Sequence, residues 1–187
     1  KPWVGKKTGW SHWTTPESEL LKVVEVALIG LDPCSNQASI VHVISPGVEE
    51  WIFGDGVFQP LKRRIIKTDG LNTPWEVEKG KLVFVNPPYG RELGPWTKKL
   101  CQEGNRGIQI LALLPAKTDT LWFHALIKSC HYGCFRKGRI SFDNPPPGAK
   151  DPAPPGASFY AYWGPRKEKF VDVYKSIGEV MECEANP

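Results

Sequence analysis

Apolar and polar positions along the chain alternate between two spacings, one suited to helices and one to strands. Thr14-Thr15-Pro16-Glu17 reads as a helix start, with Thr15 at the N-cap, Pro16 at the first helical position and acids in the first turn. Leu20, Leu21, Val24 and Leu28 keep helical spacing, and near Ala27 the pattern passes into a strand over 28–32. A second strand is expected over 39–44. The stretch 46–67 reads as irregular or hairpin-like, turning at Gly54-Asp55-Gly56. A short β-branched and aromatic strand follows over 81–85, then a helix over 95–103 with Trp96 and Leu100 four apart. The continuous apolar run 108–114 suits a parallel strand covered on both faces, and 119–129 suits an amphipathic helix. The last strands are expected over 134–142 and 157–163, joined by the loop 143–156 with its six prolines. A final helix is expected over 166–181, with Phe170, Val173, Tyr174 and Ile177 on one face. This order predicts a single α/β domain: a doubly wound, mostly parallel twisted sheet with an antiparallel last strand and helices on both faces.

The most informative break in the pattern follows the strand at 81–85, at Asn86-Pro87-Pro88-Tyr89-Gly90. Two prolines force the chain out of the ladder and hold it rigid. Asn86 offers a carboxamide, Pro87 a carbonyl, and Tyr89 a flat ring with a hydroxyl. Together these can accept two hydrogen bonds from a planar NH2 group and stack on the ring that carries it. The plainer reading is a turn in which Asn86 caps the next segment and Tyr89 packs ordinarily. Asp32 and Asp69 each follow an apolar run as well, so both are expected beside Asn86 on one edge of the sheet.

Composition narrows the picture without overturning it. At 187 residues, 41% hydrophobic and 24% charged, the chain is globular and large enough for a real core. A net charge of +4 permits a polyanionic partner. The basic cluster Lys62, Arg63, Arg64 and Lys67 reads first as a solvated face. No apolar run reaches membrane-spanning length and no secretory signal is visible. Five cysteines without a CxxC pair argue against a disulfide framework and lead us to expect a reducing, intracellular setting. Cys130, His131, Cys134 and His124 match no common zinc spacing, so no metal is expected. The chain starts on lysine rather than methionine, as expected of one trimmed or excised from something longer.

These pieces resemble the phage-type Dam family of DNA adenine-N6 methyltransferases. The resemblance is carried by Trp13-Thr14-Thr15-Pro16, Leu31-Asp32-Pro33-Cys34-Ser35, Asp69-Gly70-Leu71 and Val85-Asn86-Pro87-Pro88-Tyr89-Gly90. It continues through Leu114-Pro115-Ala116-Lys117-Thr118-Asp119-Thr120, Trp122-Phe123 and Gly138-Arg139-Ile140-Ser141-Phe142, then Ala153-Pro154 and Ser158, covering roughly 13–163. One feature departs from the family pattern: the insert 45–68 is longer. The glycine-rich loop of the wider methyltransferase fold is absent after Leu31, where Asp32-Pro33-Cys34-Ser35 takes its place, as in the family.

The resemblance implies a Rossmann-like class I methyltransferase domain, S-adenosyl-L-methionine as methyl donor, and double-stranded DNA with the target adenine flipped out. Catalysis would fall to Asn86, Pro87, Pro88 and Tyr89. The cofactor would lie among Thr14, Thr15, Pro16, Asp32, Pro33, Cys34, Asp69 and Asn86, with Asp32 on the methionine ammonium and Asp69 on the adenosyl amine. Lys117 and Arg139 are candidates for backbone phosphate and Tyr89 for the flipped base; solvation is the alternative for the two cations. Pro33-Cys34 resembles the cytosine-5 methylase nucleophile, but it sits on the first strand, away from the amine-binding motif. Two rival readings remain: an amino-group methylase acting on RNA or a glutamine side chain, and a degenerate fold kept for binding. Target reading would fall to the loop 143–156 or the insert.

Overall fold

The protein is described by a computed structural model, which covers residues 13–36, 38–52, 65–66, 69–144 and 156–183. Helix α1 (Glu17–Val26) presents Leu20, Val23 and Val26 to the core and leads into strand β1 (Ile29–Ser35). A short helix α2 (Val41–Ile44), strand β2 (Glu49–Ile52) and a two-residue strand β3 (Ile65–Ile66) follow. Strand β4 (Leu82–Val85) is buried along its whole length, and helix α3 (Leu93–Asn105) returns the chain to strand β5 (Ile110–Pro115). Helix α4 (Leu121–Ser129) then precedes strands β6 (Tyr132–Arg136) and β7 (Ser158–Trp163), helix α5 (Lys167–Tyr174) and strand β8 (Gly178–Glu182).

All eight strands join one sheet in the order β3-β2-β1-β4-β5-β7-β6-β8. Pairings from β3 through β5 are parallel, whereas β7 is antiparallel to both β5 and β6, and β8 is antiparallel to β6. Strands β1 to β6 therefore run one way, and only β7 and β8 are reversed. Alternation along the strands sends Leu82 and Phe84 to one face, under α1, α2 and α5. Val83 and Val85 go to the other, under α3 and α4. Each such buried side chain contributes about 1.5–3 kcal/mol of transfer free energy. No helix among the described residues is long and apolar enough to cross a membrane.

Several expectations are corrected. The stretch 39–44 is not a strand: it carries the helical turn α2 (Val41–Ile44). Ser39 Oγ accepts the Val41 N–H and Asn36 Oδ1 accepts the Ala38 N–H, so local side-chain bonds outcompete β propensity there. The outer strand positions are taken by β2 and β3, which pair in parallel and so are not a hairpin. Gly54-Asp55-Gly56 and the basic cluster Lys62, Arg63, Arg64 and Lys67 lie outside the described residues. Helix α1 begins at Glu17 with Pro16 as its N-cap, one residue later than expected. Strand β1 continues past Asp32 through Pro33, where the register with β2 shifts.

The strand expected over 134–142 starts earlier and ends at Arg136, after which Gly138 turns the chain at φ 73°. The final helix stops at Tyr174, and the chain resumes as β8. Ser176 Oγ donates to the Val173 carbonyl at 2.9 Å, closing the helix end. Gly178 then passes so close to β6 that a Cβ would lie 2.2 Å from the Phe135 carbonyl oxygen. The apolar face at 170–174 keeps its helix, but the same spacing does not carry past Gly178.

Candidate active site

Sequence direction reverses between β1 and β4, whose onward connections lead to opposite sides of the sheet. In open α/β sheets this is where ligands bind, beyond the carboxyl ends of the strands. Asp32 to Ser35 end one of these strands and Asn86 to Tyr89 leave the other, so the topology brings the two strongest sequence candidates side by side.

Asn86 is the centre of the arrangement. Its Nδ2 donates to Thr15 Oγ1 at 2.9 Å, across 71 positions of sequence. Its Oδ1 is shielded from solvent and has no hydrogen-bond donor among the described residues. Leaving a buried acceptor unsatisfied costs about 1–3 kcal/mol, so an arrangement that does so needs a reason. Pro87 is buried and Pro88 half-buried, locking the corner. Tyr89 packs against the cores on both faces of the sheet and meets Phe142 edge-on, ring centroids 6.2 Å apart. Burial pushes the Tyr89 phenol above its ordinary range, so it stays protonated.

Asp32 is 5% exposed and Oδ1 accepts the Cys34 N–H at 3.1 Å. Burial, reinforced by the charge of Glu50 opposite it on β2, pushes its carboxyl up to about 7. No basic side chain pairs with it among the described residues. Glu50 itself accepts the Ser35 hydroxyl at 2.8 Å, and Oε2 lies 3.3 Å from His42 Nδ1. Burial and the Asp32 charge raise the Cys34 thiol well above its ordinary value, which leaves it protonated and a poor nucleophile.

A strap crosses this corner. Thr14 and Asp143 exchange backbone hydrogen bonds at 3.0 and 3.1 Å, and Asn144 Nδ2 donates to Thr14 Oγ1 at 2.9 Å. Asn36 Nδ2 donates to the Trp13 carbonyl at 3.0 Å, and Trp13 meets Phe142 edge-on at 6.4 Å. Thr14 and Thr15 are both buried, and Pro16 holds the turn into α1 at φ −66°.

The remaining candidates are more peripheral. Asp69 is exposed, and its carboxylate closes its own turn, accepting the N–H groups of Leu71 and Asn72 and Asn72 Nδ2. That turn nevertheless abuts β1: a Cβ on Gly70 would lie 2.2 Å from the Pro33 carbonyl oxygen. Lys117 is exposed in the tight turn after β5, whose Thr120 N–H and hydroxyl both bond the Lys117 carbonyl. Arg139 is exposed just beyond β6. Since β5 and β6 run in the same direction, both cations leave the sheet on the edge that carries Asn86. Among the described residues no cluster of three or more His, Cys, Asp or Glu is placed to hold a metal. Cys130 lies next to Cys183, its Sγ 3.1 Å from the other thiol sulfur.

Sequence reasoning missed the Thr15–Asn86 bond, the contributions of Phe142 and Asn144, and Glu50. Each depends on contact across long stretches of chain, and no local motif signals it.

Residues 63–180, more than half of the chain, match the family described as DNA N-6-adenine-methyltransferase (Dam). No curated protein and no solved structure matches the chain.

Proposed function

The chain belongs to the DNA N-6-adenine-methyltransferase (Dam) family, and from that premise we propose that the β1/β4 corner binds the exocyclic amine of an adenine in DNA and methylates it directly. The fold, on this reading, is a Rossmann-like class I methyltransferase domain. The observation that carries the proposal is the buried Oδ1 of Asn86, which meets no donor among the described residues, at the topological switch point. It is an acceptor, and the amine is a donor.

The chemistry follows from what the amine lacks. Its lone pair is delocalised into the ring, so it is a weak nucleophile until two acceptors hold its hydrogens and favour a tetrahedral nitrogen. Asn86 Oδ1 is one acceptor and the Pro87 carbonyl is the other. Both also face the positive charge that grows on the nitrogen, and fixed dipoles of this kind are worth about 3–4 kcal/mol each in comparable sites. The target must leave the helix first, at a cost of a few kcal/mol. Stacking on Tyr89 offsets about 1–3 kcal/mol of that. Lys117 and Arg139 position the duplex through phosphate contacts.

S-adenosyl-L-methionine supplies the methyl group when bound. The residues present fit it: Asp32 is a buried carboxylate with no cation beside it among the described residues, which suits the methionine ammonium. On this reading Pro33 and Cys34, with Thr14 and Pro16 of the strap, would hold that end of the cofactor. Asp69 is assigned to the adenosyl amine, using the acceptor capacity its turn leaves over.

Asn86→Ala should lower methyl transfer to DNA at least about a hundredfold while cofactor affinity survives, as measured by single-turnover transfer of labelled methyl and by direct binding. Unchanged turnover in that variant excludes the site.

A further inference from the structure

We propose that Thr15 is a positioning residue for the transfer. Its hydroxyl oxygen takes a hydrogen of Asn86 Nδ2 and so anchors the carboxamide while its oxygen meets the target amine. The inference rests on the role given to Asn86 above.

The two ends of a carboxamide are nearly the same size, so packing alone does not decide which way it lies. A half-turn about the last side-chain bond would set Nδ2 against the incoming NH2, donor facing donor, and no lone pair would meet the amine. A threonine hydroxyl can bond either end of the amide, so the incoming N–H selects Oδ1; Thr15 Oγ1, at 2.9 Å, then accepts from Nδ2 on the side away from substrate and pins the amide plane in that orientation. The bond is spent on orientation, and it leaves Oδ1 open.

Thr15 is itself held from both directions. On one side Pro16 is the N-cap of α1, so the Thr15 hydroxyl is not engaged in capping the helix. On the other, Thr14 is paired through its backbone with Asp143 and through its hydroxyl with Asn144. Successive residues of an extended strand point to opposite sides. Thr14 can therefore grip the segment 143–144 while Thr15 grips Asn86. The resemblance alone would place Thr15 on the methionine end of the cofactor. The geometry engages its hydroxyl with the catalytic amide.

The test compares Thr15→Val, which keeps the shape and removes the acceptor, with Thr15→Ser, which keeps the acceptor. Both are read by single-turnover methyl transfer at saturating cofactor and DNA, by cofactor Kd and by KM for DNA. Thr15→Val is expected to lower the rate constant about tenfold or more with cofactor Kd and DNA KM unchanged, and Thr15→Ser to restore it to within about threefold. In an Asn86→Ala background Thr15→Val should add nothing further, because the group it orients is gone. A rise in cofactor Kd with the saturated rate intact would overturn the inference and return Thr15 to the methionine end. Equal rates in wild type and Thr15→Val would overturn it too. If Thr15→Val does not fold, Thr15→Ala read against Thr15→Ser carries the same outcomes. Activity surviving in Asn86→Ala sinks the proposed function itself. An inactive Asn86→Ala beside a fully active Thr15→Val sinks only the inference.

Discussion

Two buried carboxylates, Glu19 and Asp32, sit on neighbouring elements and live in opposite surroundings. Glu19 is 2% exposed and Asp32 is 5% exposed. Burial pushes the Glu19 carboxyl up, but hydrogen bonds from Tyr160 and Arg136 and the charges of Arg136 and Lys22 outweigh it and hold the group below its ordinary value. Arg136 Nη2 reaches Glu19 Oε1 at 2.9 Å, Lys22 lies 3.5 Å from the same oxygen, and the Tyr160 hydroxyl donates to Oε2. Asp32 is about as inaccessible to solvent but more deeply set, with a second acid opposite it and no cation among the described residues, and it rises to about 7. Depth and pairing together separate a carboxylate that ties α1 to the sheet from one that has no cation among the described residues.

The comparison can be broken most directly at Glu19. Glu19→Gln should strip Arg136 of its counter-charge and lower stability by about 3–5 kcal/mol, read by urea denaturation. A change below about 1 kcal/mol would mean that the network is ornamental. Asp32→Asn should do the reverse for stability, removing a buried unpaired charge, while weakening cofactor binding about tenfold to a hundredfold by calorimetry. Cofactor affinity that does not change would end its assignment to the ammonium. Gly70→Ala tests the close approach of the 69–72 turn to Pro33 and should cost about 1–2 kcal/mol, with a weaker cofactor complex.

The subtlest test is the sign of the pH dependence. Asp32 is raised from 3.8 to about 7, so between those values the native state holds a proton that the unfolded chain has lost. Unfolding then releases a proton, and stability falls as pH rises through that window, by up to about 1.4 kcal/mol per pH unit. Glu19 is lowered from 4.5, so its contribution is present above that value and lost as pH falls below it. Asp32→Asn should flatten the first slope and leave the second.

The pieces that sequence made legible are those whose physics is local. The uninterrupted apolar run that became β5, the helical spacing of α4 and the proline-locked break after Val85 were all readable, because each is decided within a few residues. The turn at 39–44 was not, since Ser39 and Asn36 satisfy its backbone through side chains that propensity reads as neutral. Strand β8 was hidden because residues 178–182 keep enough helical spacing to extend α5, and only contact with β6 reveals the strand. At the site, Asn86 and Asp32 stood out as polar residues ending apolar runs. Thr15 stood out as a helix cap, and its bond to Asn86 belongs to the folded chain alone.

That bond bears on where the chain could be shortened. A boundary chosen from the fold would fall at Glu17, where α1 begins, and would keep every strand and both cores. Such a truncated protein would melt as one unit and bind as a folded domain, yet its Asn86 amide would be free to swivel. On the role proposed for Thr15, the smallest piece that folds would then be shorter than the smallest piece that works.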